Sequence, residues 1–126
     1  MTINSYRDLR VWQAGIALAE NCYRLTKHFP RDELYGFVAQ MRRAAVSIPA
    51  NIAEGYGRDS TGSYTHFLRV AQGSLKEVET HLILSERLGM AKDEETAPIL
   101  NDCEELGKML RSLIRKLEGR GEGSRE

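Results

Sequence analysis

The sequence predicts an all-α protein, an antiparallel up-down-up-down four-helix bundle. Apolar residues recur at alternating steps of three and four in four separate segments, which is the pattern of amphipathic helices. Only three of the 126 residues are proline, and no segment shows the strict alternation of a half-buried strand. Four helices of similar length joined by short connections pack most simply as an antiparallel bundle.

The first helix is predicted over residues 5–27, with Ser5 as its N-cap and Asp8 three residues later. A second apolar stripe, about 200° around this helix at 100° per residue, comprises Val11, Leu18 and Leu25. The core cannot cover both stripes, so these three residues are either scattered surface side chains or a subunit interface, and we favour the interface. The stripe predicted to face the core comprises Leu9, Trp12, Ile16, Ala19 and Tyr23.

The second helix is predicted to begin after Pro30 and to end at Gly55 and Gly57. Its core-facing residues are Leu34, Val38, Met41, Ala45, Ile48 and Ile52. Pro49 lies inside this pattern, where it removes a backbone hydrogen bond and clashes with the preceding turn at a cost of roughly 3 kcal/mol. The sequence leaves open whether the helix bends or breaks there.

Asn51 and Glu54 follow Pro49 closely. One interpretation is structural: these polar side chains satisfy backbone groups near the proline or fix the register of the helix. The other is contact with a ligand or a partner. We favour the structural interpretation, in which Pro49, Asn51, Glu54 and Gly55 form one structural motif.

The third helix is predicted to start in the turn at residues 58–62, which holds N-cap candidates, and to finish at Gly89. The fourth begins near Asp93 with acidic residues in its first turn and cations toward its C-terminal end, as the helix dipole favours. We predict one domain, residues 1–118, followed by a disordered tail at residues 119–126.

Composition narrows the class of protein. The 18 basic and 18 acidic residues cancel, which disfavours a nucleic-acid binder unless the charge is segregated on the surface. Cys22 and Cys103 are too few for a disulfide framework or a zinc site, so we expect buried, reduced thiols. No apolar run approaches the roughly 20 residues of a membrane span, and no signal peptide is evident. We therefore expect a cytoplasmic protein without a membrane partner.

The chain offers little for catalysis. None of His28, His66 and His81 has a partner at metal-ligand spacing, and the Glu-x-x-His pattern of di-iron bundles is absent. There is no nucleophile motif and no phosphate-binding loop. We expect no enzyme activity, no catalytic residue, no metal, no cofactor and no small-molecule substrate.

Five arginines are the candidate contacts for a nucleic acid or another partner. Their alternative explanation is a solvated face or pairing between helices, and the sequence alone favours that alternative. Repetition of a modest patch around an oligomer would nevertheless make weak phosphate contacts add up. The candidates are Arg31, Arg42, Arg43, Arg58 and Arg69.

Four segments together resemble a known bacterial family of four-helix bundles, first noticed as reading frames in intervening sequences of 23S ribosomal RNA genes. They are residues 29–36 (FPRDELYG), 40–45 (QMRRAA), 47–55 (SIPANIAEG) and 71–80 (AQGSLKEVET), and residues 6–13 resemble the family's opening. The resemblance implies a small cytosolic bundle that assembles into homopentameric rings, with no established activity. The architecture is also similar to accessory proteins of retroelement reverse transcriptases, which engage nucleic acid through a basic ring surface.

The sequence therefore favours a non-enzymatic homo-oligomeric scaffold that binds RNA or a ribonucleoprotein. The alternative is a protein-binding accessory subunit, for example of a retroelement reverse transcriptase. Likeness of fold does not transfer function, so both remain hypotheses at this point.

Overall fold

The computed structural model describes residues 2–125, and side chains over residues 2–119. Its long helices are α1 (Arg10–Thr26), α2 (Ala39–Tyr56), α3 (Thr61–Arg87) and α4 (Asp93–Arg125). A 3-10 turn, Tyr6–Asp8, precedes α1, and a 3-10 turn, Arg31–Glu33, followed by a π-helical turn, Leu34–Val38, precedes α2. The predicted all-α class is confirmed.

The helices pack as a four-sided bundle in which each contacts the next in sequence and α4 closes against α1. Neighbouring helices run in opposite directions: along each contact, residue numbers rise on one helix and fall on the other. On α2 and α3, for example, Ser47 meets Ser74, whereas Gly55, farther along α2, meets Phe67, which is earlier on α3. The end of α1, the start of α2, the end of α3 and the start of α4 therefore share one end of the bundle, which we call the upper end.

The face of α1 that enters the core is not the predicted one. Val11, Leu18 and Leu25 are buried, with exposed fractions of 6%, 2% and 7%. Tyr23, which was predicted to face the core, is 39% exposed, and Ile16 is only half-buried. The prediction that Val11, Leu18 and Leu25 form a subunit interface is therefore wrong, because the chain's own core covers them.

Small residues explain why α1 turns this stripe inward. Gly15 and Cys22 alternate with the three larger residues at steps of three and four, so the stripe lets α2 approach closely. A Cβ on Gly15 would lie 3.4 Å from the Cβ of Pro49 and 3.5 Å from a methyl carbon of Ile48. Pro49 of α2 therefore lies against this stripe of α1, with room for no more than a methyl group on Gly15.

Pro49 does not break α2, which is continuous from Ala39 to Tyr56. The proline is buried, so its ring contributes apolar contacts in return for the backbone hydrogen bond that it cannot donate. The question that the sequence left open is answered in favour of an unbroken helix.

Several predicted helix ends are confirmed. Ser5 and Asp8 form a capping box, although on the 3-10 turn rather than on α1 itself. The Ser60 hydroxyl accepts a hydrogen bond from the amide of Ser63 at the start of α3. Gly89 follows α3 with a φ of +78°, a left-handed conformation that glycine adopts without steric cost.

The α4 helix runs through the predicted domain boundary at residue 118. Side chains beyond residue 119 and residue 126 itself lie outside the described part of the chain. The division into residues 1–118 and a tail at residues 119–126 therefore stays a prediction.

Candidate functional site

Arg42, a predicted contact residue, is engaged within the bundle. Its Nε donates a hydrogen bond of 2.9 Å to Oγ1 of Thr26, and its guanidinium carbon lies 4.5 Å from the centre of the Tyr23 ring. The side chain is half-buried between α1 and α2. A cation–π contact of this kind contributes roughly 0.5–1 kcal/mol, more where it is desolvated. Arg42 therefore ties α1 to α2, as the alternative of interhelical pairing anticipated.

Arg58 and Arg69 form ion pairs at the opposite, lower end of the bundle. Arg58 pairs with Glu54 at 2.6 Å and lies over the ring of Phe67, whereas Arg69 on α3 pairs with Glu118 on α4. These pairs are about half exposed, so each contributes at most about 1 kcal/mol to stability. The carboxylates nevertheless neutralise part of the charge of both arginines, which weakens their attraction for a phosphate.

Arg31 and Arg43 are exposed, and neither has a carboxylate partner within 4.0 Å among the described side chains. Both lie near the upper end, whereas Arg58 follows the lower end of α2, about 22 Å from Arg43 along the helix axis at 1.5 Å per residue. The five predicted arginines therefore do not form one surface.

A stronger concentration of positive charge lies on α4. We call it the basic face. Its first three cations on α4 recur at steps of three and four along one side of the helix, a fourth follows directly, and the start of α1 adds a fifth. Each is exposed, and none has a carboxylate within 4.0 Å in the part of the chain with described side chains. The basic face comprises Arg10, Lys108, Arg111, Arg115 and Lys116.

The basic face borders an open cleft of about 660 Å³ between α1 and α4. Leu9 and Leu113 are half-buried there and give the cleft an apolar floor. Asp8 also borders it, but its carboxylate accepts hydrogen bonds from the amides of Asn4 and Ser5, at 2.9 and 3.2 Å. One oxygen of this carboxylate is thus engaged by backbone amides. The cleft lining pairs this single negative charge with three cations, Arg10, Lys108 and Lys116, so its net charge is positive.

Sequence reasoning placed the α4 cations only as partners of the helix dipole and missed their grouping. By their spacing, the cations at positions 108, 111, 115 and 116 already lie on one side of a helix. The contribution of Arg10 requires the α1–α4 contact, which the sequence does not specify.

The segment after Pro49 has a structural role at Asn51. Its Nδ2 donates to the carbonyl oxygen of Ser47 at 2.8 Å and to the Ser47 hydroxyl at 2.9 Å. The Ser47 hydroxyl in turn lies 2.8 Å from that of Ser74 on α3. This chain of hydrogen bonds links α2 to α3, which agrees with the structural interpretation of Asn51. Glu54 has a different partner, since its carboxylate pairs with Arg58.

Gly55 is more than a helix end. It is buried inside α2, and a Cβ at this position would lie 2.9 Å from the Cβ of Phe67 and 3.1 Å from the carbonyl oxygen of Tyr64. The glycine therefore lets α2 and α3 approach closely, a role that its place near the helix end did not reveal.

The side chains of His81, Cys22 and Cys103, which could take part in chemistry, are engaged or buried within the bundle. His81 Nδ1 lies 2.7 Å from the carbonyl oxygen of Glu77, and its ring stands edge-on to Phe37. Cys22 and Cys103 are free and buried, and burial raises the pKa of each thiol to about 12. Over the described residues, no three His, Cys, Asp or Glu side chains are grouped as a metal site would need.

None of the helices within residues 2–125 has both the length and the apolar character required to cross a bilayer. That the chain uses no cofactor and has no enzymatic activity stays a prediction.

Comparison with known proteins identifies relatives of this chain. The family model described as 23S rRNA-intervening sequence protein matches residues 7–112. Among solved structures, a protein of unknown function from the S23 ribosomal protein family of Bacteroides thetaiotaomicron VPI-5482 is 29% identical. The match covers 82% of this chain and 97% of that one, with a TM-score of 0.76. No curated protein matches the sequence.

Proposed function

This chain belongs to the 23S rRNA-intervening sequence protein family, and from that premise we propose that it is a non-enzymatic, homo-oligomeric scaffold that binds RNA. The observation that carries the proposal is the basic face on α1 and α4. The site therefore differs from the arginines predicted from sequence, of which Arg42, Arg58 and Arg69 have partners within the bundle.

The charge of the basic face suits a phosphate backbone. Its five cations lie on one side of the bundle and have no carboxylate partner among the described side chains. Lys and Arg that neutralise phosphates release counterions, which supplies sequence-independent affinity. The cleft contains no aromatic ring on which a base could stack, so the expected contact is with the backbone of a structured RNA rather than with splayed bases.

Oligomerisation would multiply this modest surface. The family resemblance implies a homopentameric ring, and five copies of a five-cation face would bind one RNA with avidity although each contact is weak. We place the oligomer in the cytoplasm, in agreement with two free, buried thiols and no disulfide among the described residues.

An RNA-binding experiment tests the proposal. The wild-type protein and the variant Lys108→Glu/Arg111→Glu/Arg115→Glu are titrated against a labelled structured RNA at several salt concentrations around about 150 mM. We expect wild-type affinity to fall steeply with salt. The variant should bind at least tenfold more weakly, with a log–log salt slope smaller by roughly 0.7–0.9 for each lost phosphate contact.

The variant Arg31→Glu/Arg87→Glu/Lys92→Glu is the matched control, because it makes the same change of charge at exposed positions near the upper end. We expect it to retain most of the affinity. Equal losses in both variants would point to a diffuse charge effect. Absence of binding by the wild-type protein at micromolar concentration and low salt would reject RNA as the partner and favour the protein-binding accessory subunit.

A further inference from the structure

The outer side of α1 and α2 at the upper end of the bundle carries a group of apolar side chains that the core does not use. Tyr35 is 93% exposed, and the others are exposed by 39–46% or half-buried. Aromatic residues left on a surface in this way are typical of interaction sites. We call this group the aromatic face, and it comprises Ile16, Tyr23, Leu34, Tyr35 and Val46.

Cations surround the aromatic face. Arg42 and Arg43 line its depression on the α2 side, and Arg24 and Lys27 line it on the α1 side. Glu20 is the one carboxylate in these linings, and it lies 4.0 Å from Arg24. The expected occupant is therefore a surface that combines apolar contact with carboxylates.

The chain itself presents such a surface. Residues 93–107 contain six carboxylates and no Lys or Arg, and each of the six is exposed. On α4, Glu105 and Asp102 lie seven residues before Ser112 and Met109, which line the cleft beside α1. They therefore occupy the same α1-facing side of α4, at its upper end. We call Glu94, Asp102 and Glu105 the acidic face.

The two faces lie at the same height on adjacent sides of the bundle. The aromatic face spans α1 and α2, and the acidic face lies on the α1 side of α4. The two faces therefore point outward in directions about 90° apart, at the same height. This arrangement suits a head-to-tail contact, in which each copy is rotated relative to the one before it and roughly four or five copies close into a ring.

We infer that copies of this chain associate through a heterologous interface, with the aromatic face of one copy seated on the acidic face of the next. This inference rests on the proposed function, which supposes a homo-oligomer, and adds the surfaces that form it. Tyr35 is the central apolar contact, and Lys27 and Arg43, which are exposed beside it, pair with carboxylates of the neighbouring copy.

Light scattering coupled to size-exclusion chromatography tests the inference with two variants. Tyr35→Glu alters the aromatic face, and Glu94→Lys/Glu105→Lys alters the acidic face. Both change exposed side chains, and circular dichroism verifies folding. We expect each variant alone to have the mass of a monomer or of a much weaker oligomer, whereas the wild-type protein has the mass of a ring.

Mixing the two variants gives the sharper readout. Each retains one intact face that is complementary to the intact face of the other, so the mixture should have a higher mass than either variant alone, as one-to-one dimers or, where the introduced charges also pair, as larger oligomers. If the aromatic face paired with itself instead, the acidic-face variant would remain a full oligomer, and that result would overturn the inference. The control Asp59→Lys/Glu77→Lys makes the same charge change elsewhere and should leave the oligomer intact.

The possible failures are distinguishable. A monomeric wild-type protein would reject the homo-oligomer and this interface with it. A wild-type oligomer that survives both variants would reject the interface alone and leave the proposed scaffold and its RNA-binding face in place.

Discussion

Gly55 of α2 and Phe67 of α3 are so close that a Cβ on the glycine would lie 2.9 Å from the Cβ of the phenylalanine. Neither atom is the far end of a flexible side chain, so a larger residue would have to push the two helix backbones apart. The distance between α2 and α3 at the lower end of the bundle therefore depends on a single missing methyl group.

Gly55→Ala should consequently destabilise the bundle. Overpacking of this kind costs about 1–3 kcal/mol, which exceeds the roughly 0.5–1 kcal/mol that alanine gains over glycine in a helix. The matched control is Gly73→Ala, because a Cβ there meets nothing within 4 Å and the position is exposed on α3. Urea unfolding should show opposite signs for the two variants. Equal stabilisation by both would contradict the close approach at Gly55.

Asn51→Asp should destabilise the α2–α3 contact in a pH-dependent way. The substitution replaces an amide that donates to the Ser47 carbonyl at 2.8 Å by a carboxylate that repels it. We expect a loss of roughly 1–3 kcal/mol at neutral pH.

The sign of the pH effect follows from linkage. The repulsion raises the pKa of the introduced carboxyl in the folded state above its unfolded value. The variant therefore approaches the wild-type stability below the unfolded pKa and loses that stability as pH rises through the folded pKa. Unfolding curves of both proteins at acidic and neutral pH would test this, and a stability difference independent of pH would contradict it.

The thiols of Cys22 and Cys103 should be unreactive in the folded protein. Both side chains are buried and therefore inaccessible to a reagent, and this burial raises the pKa of each to about 12, so both are protonated at pH 8. A thiol-specific reagent such as Ellman's should detect none in the native state and two after unfolding in guanidinium chloride. Rapid native labelling at either position would contradict the buried arrangement.

The same pKa shift predicts a loss of stability at high pH. Unfolded thiols release their protons near pH 9.0, whereas the folded ones retain them until about pH 12. The stabilisation is complete below the unfolded pKa and is lost as pH rises through this window. Cys22→Ala/Cys103→Ala, compared with the wild-type chain from pH 8 upward, should show a shallower decline. Parallel curves would exclude a contribution from the thiols.

Arg42→Ala and Arg43→Ala should differ although the residues are adjacent. Arg42 bonds Thr26 and covers Tyr23, so its removal should lower the free energy of unfolding by about 1–2 kcal/mol. Arg43 is exposed and has no described ion pair, so its removal should change stability by less than about 0.5 kcal/mol. Thermal unfolding of the two variants measures the difference, and equal effects would contradict the assignment of Arg42 to the α1–α2 contact.

The sequence predicted the fold class because periodicity and capping are local properties. Ser60 and Gly89 mark the limits of α3 through the chemistry of their own turns. The π-helical turn at Leu34–Val38 was not predicted, since the apolar spacing there is compatible with an ordinary helix.

The orientation of α1 could not be obtained in the same way. Both of its apolar stripes have helical spacing, and the choice between them depends on which one fits against α2. A Cβ on Gly15 would be in van der Waals contact with Pro49, and these two residues are 34 positions apart in the sequence. The candidate sites depend on tertiary contacts in the same way. Arg42, Arg58 and Arg69 have partners within the bundle, whereas Arg10 joins the basic face only because α1 packs beside α4.

The outer side of α4 changes sign along its length, with carboxylates at the upper end and the cations of the basic face at the lower end. Copies that share one height would bring these ends into register. Because the upper carboxylates pair with cations of the next copy in the proposed interface, the basic faces would remain as the charged rim of the ring. Such a particle is directional: a polyanion would be drawn to the rim that carries the basic faces.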